Sequence, residues 1–295
     1  MKKKIENIIA DAKFIKENEP QIEFQLTTIQ KIYKRTLDHL IEKPHKLGNF
    51  NVIIIITKGK GIHNVDFVPY SYEVGSVFFI SKDQIHNFTI NPESDGYILA
   101  FTDSFLNRII VNEKLNILYE MFDYHYYPAK MDFEGDSYLD IIELFKIIEK
   151  EFSFKLDEFK ELILQALLQS TLVKFARKRL IEKIPFNSKD KSLYLRFKKL
   201  TLNHNYTMQV NDYAKLLEVS SKTLTNMTNK YLGKSTKKHL DTQLILQIKR
   251  LLLDENLTIE NISDKLYFDE PTNMLKFFKR LENITPSEFK KQHTF

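Results

Sequence analysis

Apolar residues recur at helical spacing through most of the second half of the chain. In residues 210–232 and again in residues 258–281, two short periodic stretches flank a break, which is the pattern of two helices that meet at a turn. Residues 236–254 between them form one unbroken periodic stretch, and residues 285–288 have the types and spacing of a capping box. The pattern predicts an all-α region with two helix-turn-helix motifs joined by a longer helix.

The first half of the chain carries a different pattern. Short β-type runs follow one another between residues 50 and 101, separated by Gly, Pro, Asn and Asp: FNVIIIIT, IHNVDF, GSVFFI, IHNFTI and GYILAF. This predicts an antiparallel β-barrel. Upstream, residues 3–17 are predicted to form a short amphipathic helix and residues 22–35 an edge strand.

Helices are predicted again after the barrel, at residues 103–110, 137–152 and 155–184. The last stretch is apolar on more than one side, so we expect it to pack on more than one side, either as a capping helix or against a second copy of the chain. Residues 182–191 lack periodicity and are predicted to be a linker. The expected fold is therefore α+β with two domains, residues 1–181 and residues 192–295.

Composition and charge agree with two folded domains that have different partners. The chain has 295 residues, of which 43% are hydrophobic, and it has no cysteine and no apolar run long enough to span a membrane. The N-terminal stretch lacks the features of a signal peptide, so we expect a cytoplasmic protein. Residues 191–295 contain 18 Lys+Arg and 11 Asp+Glu, against 44 and 39 in the whole chain, so all of the basic excess is C-terminal. A basic C-terminal domain is typical of nucleic-acid binding.

The second motif and the stretch that follows it contain a characteristic set of residues: Ile259, Ile262, Ser263, Phe268, Phe278, Lys279, Thr285, Pro286, Phe289 and Lys290. At these residues the chain resembles the AraC/XylS family of bacterial transcription regulators. Tyr267 stands where the family usually has Gly, and Leu244 where it usually has Arg. The resemblance implies a sequence-specific DNA-binding regulator that is not an enzyme, with a cupin-like sensory barrel, a homodimeric state and RNA polymerase as a further partner.

The two second helices supply the candidate DNA-binding residues. In the first motif, Lys222, Thr225, Asn226 and Asn229 lie opposite the apolar face and are predicted to read bases, with Lys230 beside them. In the second motif, Thr272 and Lys276 are the exposed polar candidates, and Lys279 and Arg280 suit phosphates. We expect the second helix of the first motif to read the base sequence, and the second helix of the second motif to fix the position of the protein on DNA.

The barrel holds the candidate effector site. His86 fits the second cupin motif, but the first motif is not recognisable around His45, so we expect neither a metal nor a cofactor. An organic ligand is predicted to bind near His63, Tyr72, His86 and Phe88. Two alternatives remain open: His86 has only a structural role, or aromatic side chains fill the barrel. Two alternative functions also remain, namely non-specific DNA compaction and a cupin-type enzyme with a helical accessory domain.

Overall fold

A computed structural model of the chain describes residues 10–12, 23–35, 44–48, 50–82, 84–89, 91–111, 115, 117–182, 188–204, 206–254 and 256–293. The chain divides into two compact units. Ala10–Lys183 make up the N-terminal unit, and the C-terminal unit contains Ile184–Phe295.

Ten strands of the described residues build the N-terminal unit: β1 (Ala10–Ala12), β2 (Phe24–Thr28), β3 (His45–Leu47), β4 (Phe50–Lys58), β5 (Gly61–Val65), β6 (Val68–Tyr72), β7 (Ser76–Ile80), β8 (Ile85–Phe88), β9 (Asp95–Thr102) and β10 (Lys130–Asp132). They form two five-stranded sheets, with the orders β1-β3-β8-β5-β6 and β10-β7-β4-β9-β2. We call these sheet 1 and sheet 2. Only the short pair β1 and β3 is parallel among the described strands. The predicted antiparallel β architecture is confirmed.

Strand β4 explains the run of isoleucines in the sequence. Successive side chains of a strand point to opposite faces. Ile53 and Ile55 pack into one core with the helices, whereas Ile54 and Ile56 pack into another core with residues of sheet 1. Both faces of sheet 2 are therefore buried, so no polar alternation is required along β4.

The predictions upstream of β4 are partly wrong. Strand β2 lies at the edge of sheet 2, as predicted, but the chain then turns into helix α1 (Ile29–Arg35). The backbone N–H of Gln30 donates to Asp95 Oδ1 at 3.2 Å, which ties the start of α1 to the distant strand β9. Of the helix expected at residues 3–17, the described part Ala10–Ala12 is strand β1. The rest of that stretch lies outside the described residues.

Among the described residues, the N-terminal unit has four more helices: α2 (Asp103–Ile109), α3 (Ile117–Glu120), α4 (Gly135–Phe152) and α5 (Lys160–Glu182). Phe145 and Ile148 of α4 pack into the core on the outer face of sheet 2, together with Leu168 and Leu172 of α5. The helices predicted after the barrel are thus present, and their apolar faces cover the sheet.

The C-terminal unit is helical throughout its described residues: α6 (Ser188–Asn203), α7 (Val210–Leu216), α8 (Ser221–Leu232), α9 (Thr236–Leu252), α10 (Ile259–Lys265), α11 (Pro271–Glu282) and α12 (Pro286–His293). Helix α6 begins within residues 182–191, so the last part of the predicted linker is helical. Residues 183–187 of that linker lie outside the described part of the chain. Helix α9 contacts α8, α10, α11 and α12 and is the centre of this unit.

Candidate nucleic-acid interface

The first helix-turn-helix consists of α7 and α8. Between them Glu218 adopts a left-handed conformation with φ of +57°, and Leu217 beside it is buried. The Ser220 hydroxyl caps α8 by accepting from the backbone N–H of Thr223 at 3.0 Å. Gly233 ends the helix at φ of +68°, where glycine is favoured. The predicted start and end of this helix are confirmed.

The second helix-turn-helix consists of α10 and α11. Tyr267 occupies its turn at φ of +55° and is 70% exposed. The turn conformation in which the family uses glycine is therefore kept by a bulky residue, at a cost in backbone strain. Pro271 is the first residue of α11 and Asn283 ends it at φ of +61°. Helix α11 is thus bounded where the sequence predicted.

The capping box predicted for α12 is present. The backbone N–H of Thr285 donates to Glu288 Oε2 at 2.6 Å, and the N–H of Glu288 donates to the Thr285 hydroxyl at 3.2 Å. The Thr285 hydroxyl in turn donates to Glu288 Oε2 at 2.7 Å. The donations from the Thr285 backbone and hydroxyl hold the pKa of Glu288 below its ordinary value. Phe289 of the same helix contacts Phe278 of α11, with ring centroids 5.7 Å apart. The cap therefore fixes a helix that supports the second motif.

The two second helices, α8 and α11, are equivalent elements with an offset of 50 positions. The buried residues Leu224 and Thr228 of α8 correspond to the buried Met274 and Phe278 of α11. Four of the five DNA-binding residues predicted on α8 correspond in the same way to those predicted on α11, in the pairs Lys222 and Thr272, Asn226 and Lys276, Asn229 and Lys279, and Lys230 and Arg280. The fifth, Thr225, corresponds to Leu275, which was not predicted. The paired residues therefore occupy the same face of two equivalent helices.

Four of the five candidates on α8 are exposed: Lys222, Asn226, Asn229 and Lys230. Lys230 Nζ lies 3.5 Å from Asp190 Oδ2 and 4.7 Å from the centre of the Tyr231 ring. The hydrogen bond to Tyr231 and the charge of Asp190 raise the pKa of Lys230. Lys230 is therefore held by neighbours of its own unit. Thr225 is only partly exposed, because its hydroxyl contacts Thr236 at 3.2 Å.

The candidates on α11 are all exposed, but they differ in what they contact. The Thr272 hydroxyl donates to Glu270 Oε2 at 3.0 Å, and the guanidinium of Arg280 lies 5.5 Å from the centre of the Phe277 ring. Asn273 is also exposed, on the same side of the helix as Lys276 and Arg280. Asn273 was not among the predicted residues. Its spacing of three residues from Lys276 and seven from Arg280 indicates a shared face of the helix.

Helix α9 sets the separation of the two motifs. Its 17 residues correspond to about 26 Å of helix, and it ends two residues before the end of the stretch predicted at 236–254. Lys249 Nζ on α9 forms a 2.6 Å ion pair with Glu282 Oε2 at the end of α11. Leu244, which replaces the usual Arg of the family, is buried in this helix. The packing around α9 therefore fixes α11 through both apolar and ionic contacts.

The candidate effector residues of the N-terminal unit are brought together between the two sheets. The His63 ring is fully buried and stacks on Phe88 with centroids 3.9 Å apart, and its Nε2 lies 3.1 Å from His86 Nδ1. The Tyr72 hydroxyl donates to Ser94 Oγ at 3.0 Å, and the Tyr72 ring meets Phe88 edge-on. Burial, with the nearby His86 as a smaller cause, holds the pKa of His63 well below its ordinary value.

Within the described ranges, no group of three or more His, Cys, Asp or Glu side chains is arranged to hold a metal ion. None of the helices in the described part of the chain is both long and apolar enough to cross a membrane.

Residues 213–292 match a protein family described as "Helix-turn-helix domain", and this match spans both motifs. The C-terminal unit therefore contains a helix-turn-helix domain. No curated protein gives a significant match to the chain.

Several solved structures show a loose likeness to the whole chain. ToxT from Vibrio cholerae with a bound unsaturated fatty acid is 15% identical and covers 92% of this chain and 96% of its own, with a TM-score of 0.49. Another ToxT structure, from Vibrio cholerae O395, is 13% identical over 92% and 98% of the two chains, with a TM-score of 0.46. The AraC-like transcriptional activator CuxR is 11% identical over 67% of each chain, with a TM-score of 0.30. Likenesses at this level carry no functional argument.

Proposed function

We propose that the chain is a sequence-specific DNA-binding transcription regulator of the AraC type. The observation that carries this proposal is the pair of equivalent helices α8 and α11, each of which presents an exposed polar and basic face. Neither exposed face contains an acidic residue: none occurs from Val219 to Leu240 or from Pro271 to Leu281. Faces of this composition suit the major groove and its flanking phosphates. As a regulator, the chain would act in the cytoplasm and meet RNA polymerase at its promoters.

The two helices are proposed to have different roles: α8 contacts base edges, and α11 contacts phosphates. Asn226 and Asn229 on α8 carry amides, which form paired hydrogen bonds with adenine, so we assign sequence reading to α8. Their equivalents on α11 are Lys276 and Lys279, whose ammonium groups act as point charges and suit phosphate oxygens. The same face thus reads bases in the first motif and fixes position in the second.

The experiment is selection of bound duplexes from a random pool by the full-length chain, followed by titration of the enriched sequence and a scrambled sequence at matched salt. A regulator of the proposed kind binds the enriched duplex about 10³-fold or more tightly than the scrambled one. Equal affinity for both would indicate a non-specific DNA-compacting protein instead.

The N-terminal unit is proposed to form the homodimer through α5. The inward side of this helix packs on sheet 2. Phe159, just before the helix, and Leu162 and Ile163 in its first turn are 56%, 62% and 40% exposed. Exposed apolar side chains that cluster in this way mark an interaction surface. We assign it to a second copy of the chain, because the same helix was predicted to pack on more than one side.

An organic effector is proposed to bind between sheets 1 and 2, beside His63, Tyr72, His86 and Phe88. These residues combine aromatic surface with hydrogen-bonding groups, which suits a small molecule. The stacking of His63 on Phe88 favours the alternative, in which side chains fill the space and the unit serves only as a dimer scaffold. Native mass spectrometry of gently purified protein distinguishes the two. A bound organic molecule that is lost in His63→Ala supports the effector site, whereas an unliganded mass that still binds the selected DNA supports the scaffold.

A further inference from the structure

Three threonine hydroxyls meet where α8 touches α9. Thr236, the first residue of α9, is fully buried. Its Oγ1 lies 3.2 Å from Thr225 Oγ1 and 3.1 Å from Thr228 Oγ1, both on α8. Thr228 Oγ1 also donates to the backbone carbonyl of Thr225 at 3.1 Å.

The direction of every bond in this cluster follows from counting protons, because each hydroxyl has only one to donate. Thr228 uses its proton on the Thr225 carbonyl, so the bond between Thr228 and Thr236 must be donated by Thr236. Thr236 has then used its proton, so the remaining bond must be donated by Thr225. The three bonds therefore run from the Thr225 hydroxyl through Thr236 and Thr228 back to the Thr225 carbonyl.

The second motif has no such circuit. The positions equivalent to Thr225, Thr228 and Thr236 are Leu275, Phe278 and Pro286, none of which carries a side-chain hydrogen-bonding group. Apolar packing of Phe278 against Phe289 takes its place there. Of the two equivalent helices, only α8, to which we assign base reading, takes part in such a set of hydroxyl bonds.

These hydrogen bonds determine which side-chain atoms of Thr225 are available to DNA. A helical threonine ordinarily divides between two χ1 rotamers. Here the bond to the buried Thr236 fixes Oγ1 inward and consumes its proton, so Thr225 cannot donate to a base edge. Its methyl group is the remaining side-chain feature, and Thr225 shares its side of α8 with Lys222 and Asn229.

We infer that Thr225 recognises a thymine through contact between its methyl group and the 5-methyl group of the base, and that Thr236 is the residue that positions it. The inference rests on the proposed sequence-specific DNA binding by α8. Thymine is the only base of DNA that presents a methyl group in the major groove, so such a contact selects one base pair.

The test uses the selected duplex with thymine replaced by deoxyuridine at one position at a time, which removes only the 5-methyl group. Binding is measured for the full-length chain and for Thr225→Val, Thr225→Ser and Thr236→Val. At one position, the unmodified chain should bind the duplex with thymine about fourfold more tightly than the duplex with deoxyuridine. This ratio of affinities is the factor expected from burying one methyl-sized group. Thr225→Val, which keeps a methyl group and loses the hydroxyl, should retain that ratio.

The remaining variants separate reading from positioning. Thr225→Ser keeps the hydroxyl and loses the methyl group, so its ratio should fall to about one, and Thr236→Val should give a reduced ratio because χ1 of Thr225 is no longer fixed. A merely structural role of Thr236 would lower affinity for both duplexes and leave the ratio unchanged. Two results overturn the inference while the proposed function stands: a fourfold ratio that persists in Thr225→Ser, or a site in which no replacement of thymine by deoxyuridine changes the affinity. A pool from which no sequence is enriched overturns both.

Discussion

Replacing Asn226 with alanine tests base reading with little disturbance to the protein. Asn226 is exposed in the middle of α8, one turn from Lys222 and one turn from Lys230. Alanine is a better helix former than asparagine, so the change should leave the C-terminal unit as stable as before or slightly more stable. A loss of DNA affinity could then not be attributed to unfolding.

The expected loss follows from the chemistry of the side chain. A carboxamide that pairs with both hydrogen-bonding groups of an adenine edge contributes about 1 to 3 kcal/mol of discrimination, which is a factor of roughly 5 to 150 in the dissociation constant. Because asparagine is uncharged, the number of counterions released on binding should not change. The loss should therefore be confined to one base pair and should be the same at every salt concentration.

The assay is a titration of labelled duplexes by fluorescence anisotropy at three or more salt concentrations. Each position of the selected site is tested with all four base pairs, for the unmodified chain and for Asn226→Ala. Asn203→Ala is the matched control, since Asn203 is an exposed asparagine at the end of α6 and lies outside both motifs. The variant should bind all base pairs equally at one position and keep its preferences elsewhere.

Two results would refute the reasoning. A uniform loss across all sequences would mean that Asn226 supports the helix or contacts the backbone and does not read a base. A changed salt dependence would mean that the substitution altered phosphate contacts.

Three further predictions concern charge, association and pH. Lys279→Ala should reduce the slope of log affinity against log salt by about 0.9, because one phosphate contact is lost. Leu162→Glu should weaken the dimer about 100-fold or more in sedimentation equilibrium, since two leucines, one from each copy, would each lose about 1.5 kcal/mol of burial. Because the pKa of buried His63 is lowered, the folded N-terminal unit favours the neutral ring, whereas the unfolded chain takes up a proton below about pH 6.5. The free energy of unfolding of this unit, measured by denaturant titration, should therefore fall by up to about 1.4 kcal/mol per pH unit as pH drops below about 6.5. His63→Leu should flatten that dependence.

Each of these predictions has a control and a contradicting result. Lys199→Ala changes an exposed lysine of α6 and should leave the salt slope unchanged; an altered base preference in Lys279→Ala would contradict its assignment to phosphate. Leu139→Glu makes the same substitution at an exposed leucine of α4 and should leave dimerisation intact. Parallel pH profiles for the unmodified chain and His63→Leu would show that His63 does not cause the dependence.

Sequence patterns predicted well those features that depend on nearby residues. The cap at Ser220, the helix end at Gly233 and the capping box of Thr285 and Glu288 involve neighbours within three residues or a single backbone conformation. Both helix-turn-helix motifs could therefore be located from spacing alone.

Features that depend on distant residues could not be predicted. Helix α1 starts with a bond from Gln30 to Asp95, which is 65 residues away, and its local sequence also suits a strand. The sequence placed His63 and His86 at one candidate site, but their direct contact was not predicted, because it depends on the pairing of β5 with β8, which does not follow it directly in the chain. The inward hydroxyl of Thr225 likewise depends on Thr236, a residue of the next helix.

Strand β4 contributes to the two cores of the N-terminal unit, with alternate side chains toward sheet 1 and toward α4 and α5. An effector between the sheets and a second copy docked on α5 would thus act on opposite faces of the same sheet. If occupancy of one site changes the affinity of the other by some factor, thermodynamic linkage requires the reverse effect to be equal. The concentration of the protein itself would then set the effector concentration to which it responds.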